Sequence, residues 1–273
     1  MNRRIKLWAG VLIITVITAA CVFGPMLAGV SYLDTDILGA YSPPSRAHPL
    51  GTDEVGRDVL IRLLFGGRIS IFVGLAAGIA EMLISLIVGI VSGLSRKKTD
   101  GLLMGISDIV LGLPVICIVL ILGSVLADLN VDVFVRAFMT AVVIALFGWP
   151  MTARLIRAKV RSLRESDIIK SVQLLGLPKR SVMFRHLLPN LAPQIFSCAA
   201  VAASGAVLSE ATLSFLGFGI SYPHPSWGNM ISIVLSKSVL LDKWWVWLPA
   251  CGAVTLLILS INFIGENLYD KGK

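Results

Sequence analysis

Long stretches of apolar residues without charge constrain what this chain can fold into. The first of them, residues 7–33, carries no charged side chain. A helix needs roughly 20 mostly apolar residues to cross a bilayer, so this stretch is long enough to span one. The whole chain of 273 residues is 56% hydrophobic and 15% charged, whereas soluble domains carry about 25% charged residues. The composition therefore argues against a soluble globular enzyme.

The apolar stretches predict six transmembrane helices. Their expected ranges are about 7–28, 69–94, 102–127, 134–153, 191–212 and 245–266. Pro114 is expected to kink the third helix, since proline removes a backbone donor and crowds the preceding turn. The uncharged range 211–236 contains three Gly and two Pro residues, so we predict a re-entrant or surface-lying segment there. The predicted fold class is an all-α polytopic membrane protein.

The distribution of Lys and Arg predicts the orientation. Cytoplasmic loops of membrane proteins carry an excess of these residues. With both termini in the cytoplasm, 17 of the 24 Lys and Arg lie inside and 7 outside. Residues 1–68 then hold the first helix and an extracytoplasmic loop, residues 69–268 hold the other five helices, and residues 154–190 form the longest cytoplasmic loop. The net charge of +8 is thus an orientation signal, and we expect no nucleic-acid partner.

The N-terminal segment has one alternative interpretation, a cleaved signal peptide. Residues 2–6 are basic, and residues 19–21 read Ala-Ala-Cys, which is similar to a lipoprotein cleavage site. Two features favour a retained helix. The apolar run exceeds the roughly 7–15 residues of a signal core, and Thr18 stands where such signals have an aliphatic residue.

Cysteines and histidines show no pattern of a metal site or a disulfide. Each of the four cysteines stands alone in an apolar stretch, without a CxxC pair, so buried free thiols are expected. The three histidines, His48, His186 and His224, are dispersed along the chain. We therefore predict no bound metal.

The long cytoplasmic loop is amphipathic in its first half. Ile168, Val172 and Leu175 recur at the i, i+4 and i+7 spacing of one helix face. Gly176 suits a helix C-cap, and Pro178 suits the start of a second short helix. Such a bend could dock into a groove on a soluble partner, or it could lie on anionic lipid as an interfacial helix. The pattern alone leaves both interpretations open.

The same loop resembles a known motif. From Gly176 to Pro189 it is similar to the coupling signature of ATP-binding-cassette importer permeases, EAA–x3–G–x9–I–x–LP. Lys-Ser-Val at 170–172 replaces Glu-Ala-Ala, and His186 replaces the Ile, while the Gly and Leu-Pro positions are retained.

Three further stretches resemble the dipeptide, oligopeptide and nickel branch of these permeases. They are HPLGTDEVGRDVLIRLL at 48–64, SEATLSFLGFG and PSWGNM at 209–219 and 225–230, and NFIGENLYD at 262–270. With the loop motif, the matches reach from residue 48 to residue 270. They correspond to the shorter C-type subunit of that branch.

The resemblance implies the fold of a type I importer permease, with residues 69–268 as its core, in the inner membrane of a bacterium or archaeon. It implies a B-type permease subunit as heterodimer partner, two ATPase subunits and an extracytoplasmic solute-binding protein. The sequence contains no GxxxxGK(S/T) loop. ATP and Mg are therefore expected on partner subunits, with neither enzymatic activity nor a cofactor on this chain. The implied cargo is small peptides, with nickel or a metal chelate as the alternative.

Coupling to the ATPase is implied for residues 165–189, which we call the elbow. Closure of the ATPase dimer would shift the elbow as a rigid body and tilt the spans. The expected coupling residues are Asp167, Lys170, Ser171, Val172, Gly176, His186, Leu188 and Pro189.

Three acidic residues, Glu81, Asp108 and Glu210, lie within or beside apolar runs. Ionisable residues in spans usually face the bundle interior and mark functional sites, so they are candidates for the pathway or a gate. The structural alternative is a pair or hydrogen bond between helices, and the basic loop at 96–98 is a plausible partner for Asp108. A self-contained carrier driven by an ion gradient, the alternative from another class, would depend on such acids.

The extracytoplasmic residues predict a docking surface for the binding protein. Residues 52–68 are expected to form a short amphipathic helix, on which Asp53, Arg57 and Asp58 are docking candidates. Trp227 is a further candidate. Like three tryptophans near residue 245, it is expected at the membrane interface, where aromatic side chains anchor.

Overall fold

The chain is helical in all regular elements of the ranges that the structure, a computed structural model, describes: residues 3–128, 132–174, 178 and 181–270. The helices are α1 (Arg3–Ala28), α2 (Val59–Leu94), α3 (Lys97–Gly112), α4 (Val115–Asp128), α5 (Val133–Arg164), α6 (Asp167–Leu174), α7 (Leu188–Phe215), α8 (Trp227–Ile231), α9 (Lys237–Asp242) and α10 (Trp244–Asp270). A π-helical turn, Val182–Leu187, leads into α7. The all-α prediction is confirmed.

Five helical segments of the described chain are long and apolar enough to cross a membrane: Arg4–Ala28, Val59–Leu94, Val133–Arg164, Val182–Phe215 and Trp244–Leu268. The predicted third span is instead divided between α3 and α4, of 16 and 14 residues. The division lies at Pro114, which disfavours helical backbone at the residue before it. Leu113 accordingly has ψ 138°, so the expected kink is a complete break.

The longest helix, α2, has 36 residues and extends about 54 Å, well beyond the roughly 30 Å of bilayer hydrocarbon. Asp58 caps its start by accepting a hydrogen bond from the Ile61 amide at 3.0 Å. The prediction of a separate amphipathic helix at 52–68 is wrong. Residues 52–58 form a tight turn, closed by backbone pairing of Thr52 with Asp58, and α2 begins directly after it.

The centre of the bundle is the packing of α2 against α5 and α7. A Cβ on Gly78 of α2 would lie 2.7 Å from the Cα of Ala203 in α7. A Cβ on Gly89 would lie 2.8 Å from the carbonyl oxygen of Ala153 in α5. Because both neighbours are backbone atoms, glycine at these two positions permits the observed helix separation.

The first and last helices, α1 and α10, lie side by side in opposite directions. Lys6 near the start of α1 pairs with Glu266 near the end of α10 at 3.2 Å, and Gly10 lies against Ser260. The two ends of the described chain therefore lie at the same end of the bundle.

Arg68 of α2 binds α1 next to a proline. Pro25 has no N–H, so the Cys21 carbonyl four residues earlier lacks its usual helical donor. Arg68 Nε donates to that carbonyl at 2.8 Å, and Arg68 Nη2 donates to the Val22 carbonyl at 2.5 Å. A charged side chain thus replaces the missing helical hydrogen bond.

The segment predicted to be broken after the fifth span is irregular, although it begins later than expected. α7 continues to Phe215, and Gly217 then takes a positive φ of 85°. The short helix α8 packs against α7 and α10, and Ile220 and Trp227 are buried. Protein covers part of this segment, whereas Leu216, Tyr222 and Leu235 are exposed on this chain.

Candidate functional site

The first arm of the elbow is α6, which follows the last residue of α5 after a two-residue turn. Ile169 is buried, whereas Asp167, Lys170 and Ser171 are exposed. Among the side chains of α6 that the structure describes, Ile169 therefore packs inward and the polar ones face outward. Of the remaining predicted residues of this arm, the side chain of Val172 and all of Gly176 lie outside the described residues.

The second arm is continuous with α7. The prediction of a separate short helix is wrong here, because the π-helical turn runs into Leu188 without interruption. A π turn widens the helix locally, which accommodates Pro189, a residue that cannot donate the usual backbone hydrogen bond. Leu187 is buried, and the Asn190 side chain donates to the His186 carbonyl at 2.6 Å.

A cluster around Asp100 holds the helices from which the elbow emerges. Arg157 of α5 donates to Asp100 through Nε at 2.5 Å and through Nη2 at 2.6 Å. Arg161 donates to the same carboxyl at 2.5 Å, and so does the Ser92 hydroxyl of α2. These hydrogen bonds, those of Arg157 above all, hold the pKa of the Asp100 carboxyl well below its usual range.

Sequence reasoning missed the role of Asp100. The available signal was a lone acid two residues after the basic stretch 96–98, ahead of the predicted third span. Its partners Arg157 and Arg161 are 57 and 61 residues away in sequence, so the spacing of charges did not connect them.

Asp108, a pathway candidate, pairs with Arg154 of α5. Asp108 therefore pairs between helices, as the structural alternative predicted. Its partner is Arg154 of α5, whereas the predicted partner was the loop at 96–98. Arg154 also donates through Nε to the Ser107 hydroxyl at 3.2 Å. The Asp108 side chain is 66% exposed, so this acid lies on the surface of the bundle of this single chain.

Glu81 lies between α2 and α5. Its carboxyl accepts a hydrogen bond from the Thr152 hydroxyl at 3.4 Å. It also lies directly against Gly148, where a Cβ would approach Glu81 Oε2 to 2.4 Å. One turn later, the Ser85 hydroxyl bonds the Trp149 carbonyl at 3.0 Å. Glu81 is thus a buried polar contact of the α2–α5 packing.

Glu210 is completely buried and lies among serine hydroxyls. The Ser214 hydroxyl donates to it at 2.8 Å and accepts a hydrogen bond from the Ile220 amide at 3.1 Å. Ser70 of α2 accepts from the Trp227 amide at 3.1 Å. Through these serines, the carboxyl lies at the junction of α2, α7 and α8.

Two of the docking candidates on the 52–58 turn are buried against each other. Arg57 Nε and Asp53 Oδ2 are 2.7 Å apart, and both residues are buried. Asp58 caps α2, and its Oδ2 accepts a hydrogen bond from His48 Nδ1 at 2.8 Å. The prediction that Asp53 and Arg57 present a docking surface is contradicted, since their charged groups are paired inside the chain.

Trp227 is 1% exposed, so its predicted roles in docking and in anchoring at the interface are wrong. Its indole N–H donates to the Leu63 carbonyl at 3.0 Å, which satisfies the polar end of the ring inside the protein. Trp244 is exposed and Trp245 is buried. The position of a tryptophan near the expected end of a transmembrane helix therefore did not predict whether its side chain is exposed.

The histidines lie apart in the structure as well. His48 faces Asp58, and His224 Nδ1 lies 2.9 Å from the Tyr32 hydroxyl. Within the described ranges, no three His, Cys, Asp or Glu residues form a group with metal-binding geometry.

The helical bundle matches a known protein family. A family model described as "Binding-protein-dependent transport system inner membrane component" matches residues 85–271. The chain belongs to this family. The matched range contains the Asp100 cluster, the elbow and the α8 segment, so the features that position the elbow are within the family region.

Relatives of this inner-membrane component match nearly the whole chain. The oligopeptide transport system permease protein OppC of Bacillus subtilis is 33% identical over 261 residues, which are 96% of this chain and 83% of that protein. A protein of Brucella suis named "Putative peptide permease protein" is 36% identical over 261 residues, covering 96% of this chain and 84% of the relative. The chain is thus an all-α, polytopic inner-membrane component of a transport system.

Proposed function

We propose that the chain is a permease subunit of an ATP-driven importer and forms part of the path for small peptides. The names of its relatives, a peptide permease protein and an oligopeptide permease protein, support peptides as the cargo. ATP and Mg are bound on separate ATPase subunits in this proposal, and the chain itself has no enzymatic activity.

The observation that carries the proposal is the construction of the elbow. α6 is packed through Ile169 and presents Asp167, Lys170 and Ser171 outward, which is suited to contact with a soluble partner. The preceding helix α5 is fixed by the Asp100 cluster. A push on α6 is therefore transmitted to α5 and α2 as rigid elements.

The partners follow from the family. A transport component that depends on a binding protein needs that protein outside and an ATPase inside; we propose two ATPase copies and a B-type permease as heterodimer partner. Exposed apolar side chains on α3 and α4, such as Leu102, Ile109 and Ile121, are available for lipid or for that second permease.

We also propose that both termini are cytoplasmic. The ion pair of Lys6 with Glu266 brings the two chain ends together, which requires an even number of crossings. In this proposal the five long helices make five of them, and α3 and α4 together make the sixth. The excess of Lys and Arg assigns that side to the cytoplasm.

Reconstitution tests the function. The chain is placed in proteoliposomes with its permease partner, ATPase subunits and binding protein, and uptake of labelled di- to pentapeptides is measured. We expect uptake only with ATP and all partners. Uptake by the chain alone, driven by an ion gradient, would overturn the importer assignment. Uptake of nickel ions instead of peptides would contradict the peptide assignment and leave the importer assignment intact.

A variant of the elbow tests coupling in the same system. Ile169→Ala removes the side chain that seats α6, so we expect peptide uptake to fall while ATP hydrolysis continues. Ile106→Ala is the matched control, because Ile106 is exposed on α3. Equal uptake by the two variants would contradict the coupling role of the elbow.

A further inference from the structure

A compact polar cluster joins the 52–58 turn to the loop before α8. Arg57 binds Asp53 and also donates to Glu54 Oε1 at 3.0 Å. Arg62 lies 3.4 Å from Asp53 Oδ2 and donates to the Pro223 carbonyl at 3.4 Å. The two acids and two arginines balance, so the cluster has no excess charge to attract a counterion.

Two atoms of this cluster lack a hydrogen-bond partner within the described part of the chain. They are Glu54 Oε2 and Arg62 Nη2, and both are buried. The Arg62 residue as a whole is only 2% exposed. A buried donor or acceptor left unsatisfied destabilises the folded protein, and a charged group does so more strongly. Such groups are therefore usually satisfied by ordered water when the protein supplies no partner.

Both residues line one small cavity. Its other walls are Asp53, Val59, Tyr222, Met230, Ile233 and Val246. The room for the centre of a water molecule is about 10 Å³, close to the minimum for a single water. This room accommodates one water molecule.

We propose that one ordered water molecule occupies this cavity, donating a hydrogen bond to Glu54 Oε2 and accepting one from Arg62 Nη2. The water completes the polar network between the start of α2 and the loop before α8. The water satisfies the acceptor Glu54 Oε2 and the donor Arg62 Nη2 together, two atoms that form no hydrogen bond with each other.

Radiolytic footprinting of the assembled transporter tests the site. X-rays generate hydroxyl radicals from bound water, and these oxidise side chains in contact with it. Met230 of α8 lines the cavity and is 5% exposed. Met82 of α2 is similarly buried, at 8% exposed, but it packs in an apolar cluster away from the cavity. We expect several-fold faster oxidation of Met230 than of Met82. Equal, slow oxidation of the two methionines would overturn the proposal.

The variant Val246→Ile provides the second arm of the test. It adds one methyl group to the cavity wall and should displace the water, so oxidation of Met230 should fall to the level of Met82. Thermal unfolding should occur at a lower temperature than in the wild type, because two polar atoms lose their partner. Unchanged oxidation, or a more stable variant, would show that the cavity holds no water.

Discussion

Asp100 and Arg157 are joined by two parallel hydrogen bonds of 2.5 and 2.6 Å between the start of α3 and the end of α5. Ser92 and Arg161 add one hydrogen bond each to the same carboxyl. Three helices are therefore held together within two turns of the elbow. Bidentate pairs of this kind combine strength with a defined orientation, so the elbow starts from a rigid base.

Replacing Asp100 with Asn should destabilise the protein. The substitution removes the charge that pairs with Arg157 and Arg161, at a site where the Asp100 side chain is 9% exposed. We expect a loss of about 2–3 kcal/mol, measured by thermal unfolding of the purified transporter. Asp108→Asn is the control, because its pair with Arg154 is largely exposed and should contribute less than about 1 kcal/mol. Equal losses would contradict the special role of Asp100.

The stability difference between wild type and Asp100→Asn should depend on pH in one direction only. The arginine partners lower the pKa of the Asp100 carboxyl in the folded protein. The ionised carboxyl therefore stabilises the fold fully at any pH above the pKa that the same carboxyl has in the unfolded chain. The stability difference should be constant from pH 8 to about pH 5 and diminish as the pH falls below about 4. Unfolding curves across this range measure it. A difference that diminishes near neutral pH would be the contrary result.

Gly78→Ala should push α2 away from α7. The added methyl would meet the Cα of Ala203 at 2.7 Å, and overpacking of this kind costs about 1–3 kcal/mol. Gly252→Ala on α10 is the matched control, because nothing lies within 4 Å of its Cβ position. We expect the control to be neutral or more stable by up to about 1 kcal/mol, since alanine favours helix. Thermal unfolding distinguishes the two variants.

Arg68→Met should weaken the contact between α2 and α1 by about 2 kcal/mol, because two backbone carbonyls lose a charged donor. Pro25→Ala restores the N–H that the Cys21 carbonyl lacks. In the Pro25→Ala background, Arg68→Met should therefore cost less, which a double-mutant cycle measures as a coupling energy. Strict additivity of the two substitutions would refute the link between Arg68 and the proline.

Peptide uptake should survive Glu81→Gln, Asp108→Asn and Glu210→Gln individually. In this structure each acid contacts a hydroxyl group or an arginine, and an amide oxygen can accept the same hydrogen bonds. Uptake in proteoliposomes is the measurement. Loss of uptake in any one of the three, with the variant normally inserted and assembled, would indicate an essential proton relay.

The positions of the long helices could be predicted from the sequence, whereas the contacts between side chains of different helices could not. The first, second, fourth, fifth and sixth predicted spans each lie within a long helix, because a helix satisfies every backbone polar group of an apolar run in lipid. The contact of Glu81 with Thr152 joins residues 71 apart in sequence, and no local pattern reports such a pair. Asp53 and Arg57 illustrate the opposite error, since a charged turn can be folded inward when its charges neutralise each other.

The sequence by itself determined the class of protein and the helical fold, because the length of an apolar run acts locally along the chain. Only the tertiary structure decided which charges are paired and that Trp227 is buried. These outcomes depend on distances between separate helices. Those distances are set by the packing of α2 against α5 and α7, where backbone atoms meet at glycine.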